Sequence, residues 1–198
     1  VIALILGLLG YNKYIVEPQE EAASNELSFP RKHFNDADLA AGSDIDSLLQ
    51  LGLDGADNKY GFLDISTQYS GTKAANISNY YAGISYLKLK EYQKAIEYLS
   101  KFSSDDEILG PTALGAIGDA FADIDQAEDA LEYYEKAAYN KDNEFTTPLF
   151  LFKAGRTAMD LGQFSKAEKI FTQIKENYPA TDSGKDIDKY IYSAKYAQ

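Results

Sequence analysis

His33 is the only histidine in the chain, and there is no cysteine. His33 falls at the end of a linker-like stretch, so no Ser-His-Asp relay is expected around it, and a multi-histidine metal centre needs more than one imidazole. The lack of cysteine also excludes thiolate metal sites, thiol nucleophiles, disulfides and lipid-modified cysteines in this chain. Acids gather in "DADLAAGSDID" (36–46) and "LDGADNKYG" (53–61), but neither run has the spacing of a calcium loop ending in a bidentate glutamate. The glycines at 110, 115 and 118 in "LGPTALGAIG" match no phosphate loop. "SSDDE" (103–107) reads as a helix entry in which carboxylates face the helix N-terminus. Asn76-Ile77-Ser78 has the form of a glycosylation sequon by accident of composition. These residues predict no enzyme, no metal and no cofactor.

The elements around them are helical. "LDISTQY", "YYAGISYLKL", "AIEYLSKF", "ALGAIGDAFADI", "ALEYYEKAA", "LFLFKAGRTAMDL" and "AEKIFTQI" all place apolar residues at steps of three and four. No stretch alternates with period two between hairpin signals, so the expected class is all-α with no sheet. The chain of 198 residues is 45% hydrophobic, which suits a continuous core rather than disorder. Its net charge of −12 argues against nucleic acid or anionic membrane surfaces as main partners, because phosphate binding needs clustered cations.

The ends of the chain differ from its middle. "VIALILGLLGY" is free of charge, and as a helix Val1–Val16 would be roughly 24 Å long, somewhat short of a bilayer span. The chain starts at Val1 rather than Met, so the apolar segment is expected to continue upstream as a membrane anchor, with 1–16 its visible part. Tyr11 and Tyr14 would sit at the interface and Lys13 would snorkel to the headgroups. The acidic flank beyond predicts a domain on the non-cytoplasmic side. Residues 17–30, bounded by Pro18 and Pro30 and rich in Glu, Gln, Ala and Ser, read as a solvated linker.

Between the ends lies an internal period. Gly83, Gly118 and Gly155 each precede an alanine by twelve residues (Ala95, Ala130, Ala167), so the repeats are spaced by 35 and then 37, the extra two falling in "YNKDNEFTTP". Tyr86, Phe121 and Ala158 stand three residues after the glycines, and Leu99, Tyr134 and Phe171 four after the alanines. Small residues belong where two helices approach closely and large ones fill the space beside them, so each unit is a helix, a turn and a second helix. "KLKEY", "DIDQA" and "DLGQF" mark the turns, with Gly162 as the residue just past a helix end and Thr147-Pro148 as a cap and first turn.

This pattern resembles the tetratricopeptide repeat. It departs from that family in having no Trp, in placing Phe102 and Ile174 at the second alanine, and in closing only the last unit with a proline, Pro179. Repeats are expected at about 76–108, 111–145 and 148–181 within a domain spanning 31–198. "FLDISTQYSGT" (62–72) mirrors "FTQIKENYPAT" (171–181), so a degenerate first repeat is expected at 36–72 with its first helix within 36–51. Ile187, Tyr190, Ile191 and Ala194 fall on one face of a capping helix at 183–197.

The resemblance implies a helical solenoid whose concave face is lined by first helices. The inward positions would be Ile77, Tyr80, Ile84, Leu87 and Lys88, then Thr112, Gly115, Asp119 and Asp123, then Leu149, Phe152, Arg156 and Met159. Aromatic and apolar residues with a few charges suit an extended peptide or a partner helix. A Lys/Asn clamp for chaperone C-terminal carboxylates is absent, since Tyr80 and Ile84 fill its first positions. A single N-terminal anchor before an acidic repeat domain is similar to the YfgM-type ancillary subunits of the bacterial Sec translocon, which work with a periplasmic chaperone. The implied function is an inner-membrane scaffold binding membrane-complex subunits or client segments, with the lipid bilayer contacted through 1–16 and no small-molecule substrate. The alternative is a structural subunit of another secretion or envelope complex that handles no clients.

Overall fold

The computed structural model of the chain describes residues 12–42 and 44–197. Two compact units are present, one ending at Phe102 and the other beginning at Ser103.

In the first unit a π-helical turn, Asn12–Val16, runs into α1 (Glu17–Glu26), followed by α2 (Ser28–Leu39) and α3 (Asp44–Asp54). The expected anchor lies mostly on residues 1–11, outside the described residues, and no described helix is long and apolar enough to cross a membrane. The linker expected at 17–30 is instead helical. Its Glu, Gln and Ala are good helix formers, and tertiary contacts select that state over a solvated coil. Ala23 is fully buried, Leu27 and Pro30 are buried, and the Glu20 carboxylate accepts the N–H groups of Lys73 (2.8 Å) and Ala74 (3.2 Å) at the start of a later helix. The helix expected within 36–51 is split in two: Ala40 is extended and Gly42 adopts a left-handed φ of 65°. α2 packs on α3, and α3 in turn packs on the helix that begins at Phe62.

A small sheet also departs from the all-α expectation. β1 (Gly55–Ala56) pairs antiparallel with β2 (Lys59–Tyr60), Gly55 opposite Tyr60. Asp57 and Asn58 form the connection with φ of 51° and 60°, the left-handed pair that a two-residue hairpin demands and that Asp and Asn tolerate. The hairpin leads into α4 (Phe62–Gln68), α5 (Lys73–Lys88) and α6 (Tyr92–Lys101).

The second unit runs α7 (Leu109–Asp123), α8 (Ala127–Asn140), α9 (Thr146–Asp160), α10 (Phe164–Asn177) and α11 (Ile187–Tyr196), each packed on the next. Its core is one cluster that includes Tyr134, Phe150, Leu151, Ile170, Phe171 and Ile174, closed at the end by Ile187 and Ala194 of α11. Tyr190 and Ile191 pack on it from the same helix, the face expected of the capping segment.

The repeat glycines do what their spacing predicts. A Cβ on Gly83 would lie 2.4 Å from Leu99 Cγ, on Gly118 2.7 Å from Tyr134 Cδ1, and on Gly155 2.4 Å from Phe171 Cε1. In each pair the glycine makes room for the large residue of the partner helix, while Ala95, Ala130 and Ala167 are fully buried beside it. The correspondence between 62–72 and 171–181 reappears in the geometry. Phe62, Ile65, Phe171 and Ile174 are all fully buried. Thr72 and Thr181 each donate their hydroxyl to a carbonyl three residues back, Tyr69 (2.8 Å) and Tyr178 (2.7 Å).

The three inter-helix turns share one geometry. Glu91, Gln126 and Gln163 donate backbone N–H groups to the carbonyls of Tyr86 (2.8 Å), Phe121 (3.0 Å) and Ala158 (2.8 Å), each closing a Schellman turn. The left-handed residue just before them is Lys90 (φ 61°), Asp125 (φ 58°) and Gly162 (φ 70°). Only the last is glycine, so the other two carry steric cost that a lysine bears more heavily than an aspartate. Lys90→Gly should therefore raise stability by about 0.5–1 kcal/mol, and Asp125→Gly by less, read from the urea midpoint.

Helix entry differs from expectation at one place. α9 begins at Thr146, so Thr147 and Pro148 lie inside its first turn, where proline costs no hydrogen bond. The capping side chain is Asn143, whose Oδ1 accepts the N–H groups of Phe145 and Thr146, both at 2.8 Å. Asn wins because its short amide closes an Asx turn onto two orphan donors at once. Asp106 caps α7 in the same way, accepting from Ile108 (2.9 Å) and Leu109 (2.8 Å), and these bonds hold its carboxyl below the usual range.

Candidate functional site

The residues expected to face a partner sit on the first helices α5, α7 and α9, and the structure treats them unequally. On α5, Ile77, Tyr80, Ile84 and Leu87 are half-buried and Lys88 is exposed. The Tyr80 ring packs on Tyr81 (centroids 5.7 Å) and on Phe102 (5.2 Å), and burial pushes its hydroxyl pKa up. Lys88 pairs with Asp38 and lies 5.6 Å from the Phe34 ring centroid. Much of this surface is therefore occupied by its own unit.

In the second unit, Asp119 is the centre of a polar network. It accepts the Tyr134 hydroxyl (2.7 Å) and takes both oxygens to Lys153 Nζ (2.6 and 2.8 Å). The Lys153 ammonium also stands 5.5 Å from the Tyr134 ring centroid. Burial, and then the carboxylate of Asp119, drive the Tyr134 hydroxyl strongly upward in pKa, so it remains a donor throughout the neutral range. This network ties α7, α8 and α9 together. Such a half-buried pair, bonded also by a hydroxyl, is a better brace than a surface ion pair.

Phe152 and Met159, expected to face a partner, pack against the core cluster of their own unit. The Phe152 ring stands edge-on to Tyr190 (4.8 Å) and tilted against Phe171 (6.0 Å), so α11 covers it. Gly115 likewise faces a neighbouring helix: a Cβ there would fall 1.9 Å from Phe150 Cε1. Arg156 and Asp123 are exposed, Thr112 is half-buried, and Leu149 is 44% exposed. On α9 the surface free to meet a partner is thus centred on Leu149 and Arg156.

His33 lies on α2, edge-on to Phe29 at 4.5 Å, in a packed aromatic contact. No three His, Cys, Asp or Glu side chains gather as a metal site among the described residues. Sequence reasoning passed over Lys153, which lies 34 residues after Asp119 and so out of the repeat register, and over Phe145, which is 77% exposed in the loop holding the two extra residues.

A tetratricopeptide repeat model matches residues 78–105 and 150–181, and a second tetratricopeptide repeat model matches 111–143. Among solved structures, a Podosopora anserina protein described as a kinesin light chain with nearly identical TPR-like repeats is similar in fold. It is 13% identical with a TM-score of 0.61, over 90% of this chain and 87% of that one. A substituted variant of the same protein matches equally, at 14% identity and a TM-score of 0.61. No curated protein matches the chain. Repeats of this kind are typically non-enzymatic protein-interaction modules. Three tetratricopeptide repeats are present within 78–181.

Proposed function

We propose that the protein is a membrane-anchored scaffold that holds a protein partner at the bacterial inner membrane, in the manner of the YfgM-type accessory subunits of the Sec translocon and its periplasmic chaperone machinery. The observation that carries this reading is the set of three helix pairs in register, with Leu149 and Arg156 left exposed on α9. The uncharged run 1–11 supports the anchor, and the acidic flank after Lys13 supports a domain on the periplasmic side. In the second unit Leu149 and Arg156 make the contacts, and Asp119, Phe152 and Met159 brace the helices that present them; in the first unit, taken by itself, Ile77, Ile84 and Leu87 form the proposed contact surface, with Tyr80 bracing it. Arginine is among the side chains that dominate binding energy when a partner desolvates them.

A photo-crosslinking amino acid at Leu149 or Arg156 of the full chain, in intact cells, tests the reading. The same group at Lys169, on the exposed side of α10, is the control. The expected result is an adduct from 149 and 156 with a translocon or chaperone subunit, none from 169, and a chain that stays in the membrane pellet after alkaline extraction. Release into the soluble fraction would overturn the anchor, and adducts from 169 alone would move the working surface off α9. One stoichiometric adduct with a subunit of a different envelope complex would favour a purely structural role.

A further inference from the structure

The loop that breaks the repeat period carries an aromatic side chain that the fold leaves in water. Phe145 is 77% exposed although its backbone is firmly held. Asn143 accepts the Phe145 and Thr146 N–H groups through Oδ1, and its amide donates to the Glu107 carbonyl (2.9 Å), the Lys141 carbonyl (3.1 Å) and the Thr146 hydroxyl (2.6 Å). The ring is therefore presented by a rigid turn and loses little freedom on contact. Beside it an open cavity of about 460 Å³ is walled by Phe145, Pro148 and Leu149 on one side and by residues 180–183 on the other. The second wall is also fixed, since Thr181 Oγ1 donates to the Tyr178 carbonyl (2.7 Å) and accepts the Gly184 N–H (3.2 Å).

The rim of this cavity is acidic. Glu144 and Asp182 line it, and Asp142 stands behind them, taking the Tyr178 hydroxyl. Lys185 pairs with Asp182 (2.6 Å), which leaves Glu144 and Asp142 uncompensated by it. Burial first, then the hydrogen bond and charge of Asp142, with Glu144 adding a smaller part, push the Tyr178 hydroxyl up to about 12. The net charge of −12 makes a second copy of this chain, or an anionic lipid surface, a poor occupant.

From the exposed ring, the locked walls and the acidic rim we infer that this cavity is a docking site for a short cationic segment with an apolar anchor residue, flanked by Lys or Arg. The anchor fills the space between Phe145 and the 180–183 turn while a flanking cation meets Glu144, the lining carboxylate that Lys185 does not pair with, and a second one competes with Lys185 for Asp182. Electrostatic complementarity sets the partner's charge, and the aromatic supplies the affinity. The site lies at the start of α9 and just past the end of α10, shares Leu149 but not Arg156 with the partner surface proposed above, and does not depend on the proposed membrane role.

Fluorescence anisotropy with the full chain tests it, using a labelled peptide of alternating lysine and leucine and its glutamate–leucine counterpart as probes. The expected result is binding of the cationic peptide only, weakened about tenfold by Phe145→Ser and by the pair Glu144→Lys and Asp182→Lys, and unchanged by Arg156→Ala. Because Phe145 and Glu144 are exposed, melting temperatures should stay at the wild-type value, and circular dichroism confirms that each variant is folded. The inference is overturned if the cationic peptide does not bind below about 1 mM, or if the acidic peptide binds equally. It is also overturned if folded Phe145→Ser binds like the parent, since attraction would then come from diffuse charge.

Discussion

Gly115→Leu should destabilise the second unit by about 1–2 kcal/mol net and lower its melting temperature by several degrees. A Cβ at this position would lie 1.9 Å from Cε1 and 2.2 Å from Cζ of Phe150, a ring that is 4% exposed and part of the core cluster. The ring cannot swing into solvent, so α7 and α9 must separate or Phe150 must leave its rotamer. Overpacking of that kind costs about 1–3 kcal/mol, and the better helix propensity of leucine returns only about 0.8 of it. Phe150→Leu in the same chain should recover part of the loss, because it removes the atoms that clash. The coupling should be about 1 kcal/mol or more in a double-mutant cycle followed by urea unfolding. Additive losses would mean that the two residues do not meet.

Phe152→Ala should cost about 2–3 kcal/mol and raise hydrogen exchange in α10 and α11, while Arg156→Ala should stay within about 0.5 kcal/mol of wild type. Both residues lie on α9 and both would line a concave face by repeat register alone. Phe152, however, contacts Phe171 and Tyr190, whereas Arg156 is exposed. Truncating the ring removes buried apolar area and two aromatic contacts, each worth about 0.5–1.5 kcal/mol beyond area. An unchanged melt for Phe152→Ala would show that α11 does not cover it, and would return the residue to the partner surface.

The contrast between these positions shows where sequence reading stopped. The spacing from glycine to alanine to large residue was legible because close helix contact permits few residue types: Gly83, Gly118 and Gly155 each sit against Leu99, Tyr134 or Phe171. Facing within the first helices was only partly legible. A large apolar residue has the same signature whether a partner, a neighbouring helix or a capping helix covers it, and Tyr80, Phe152 and Gly115 fell to the neighbours. Segment 17–30 was misread for a related reason. Its composition suits both a solvated linker and a helix, and the decision came from Glu20, whose carboxylate binds N–H groups more than fifty residues away.

By itself the sequence determined the helical class, the period of the repeats, the paired helices from 73 to 177 and the capping helix, because periodicity and close-packing rules act within one repeat length. It also determined the absence of thiol chemistry, since the chain has no cysteine. Tertiary structure alone decided that Glu20 binds the start of α5 and that Asp119 is braced by Lys153 and Tyr134. It alone decided which of the first-helix side chains are free. Those outcomes depend on contacts between distant segments, whose energies of a few kcal/mol exceed local preferences of a few tenths and leave no trace in local spacing.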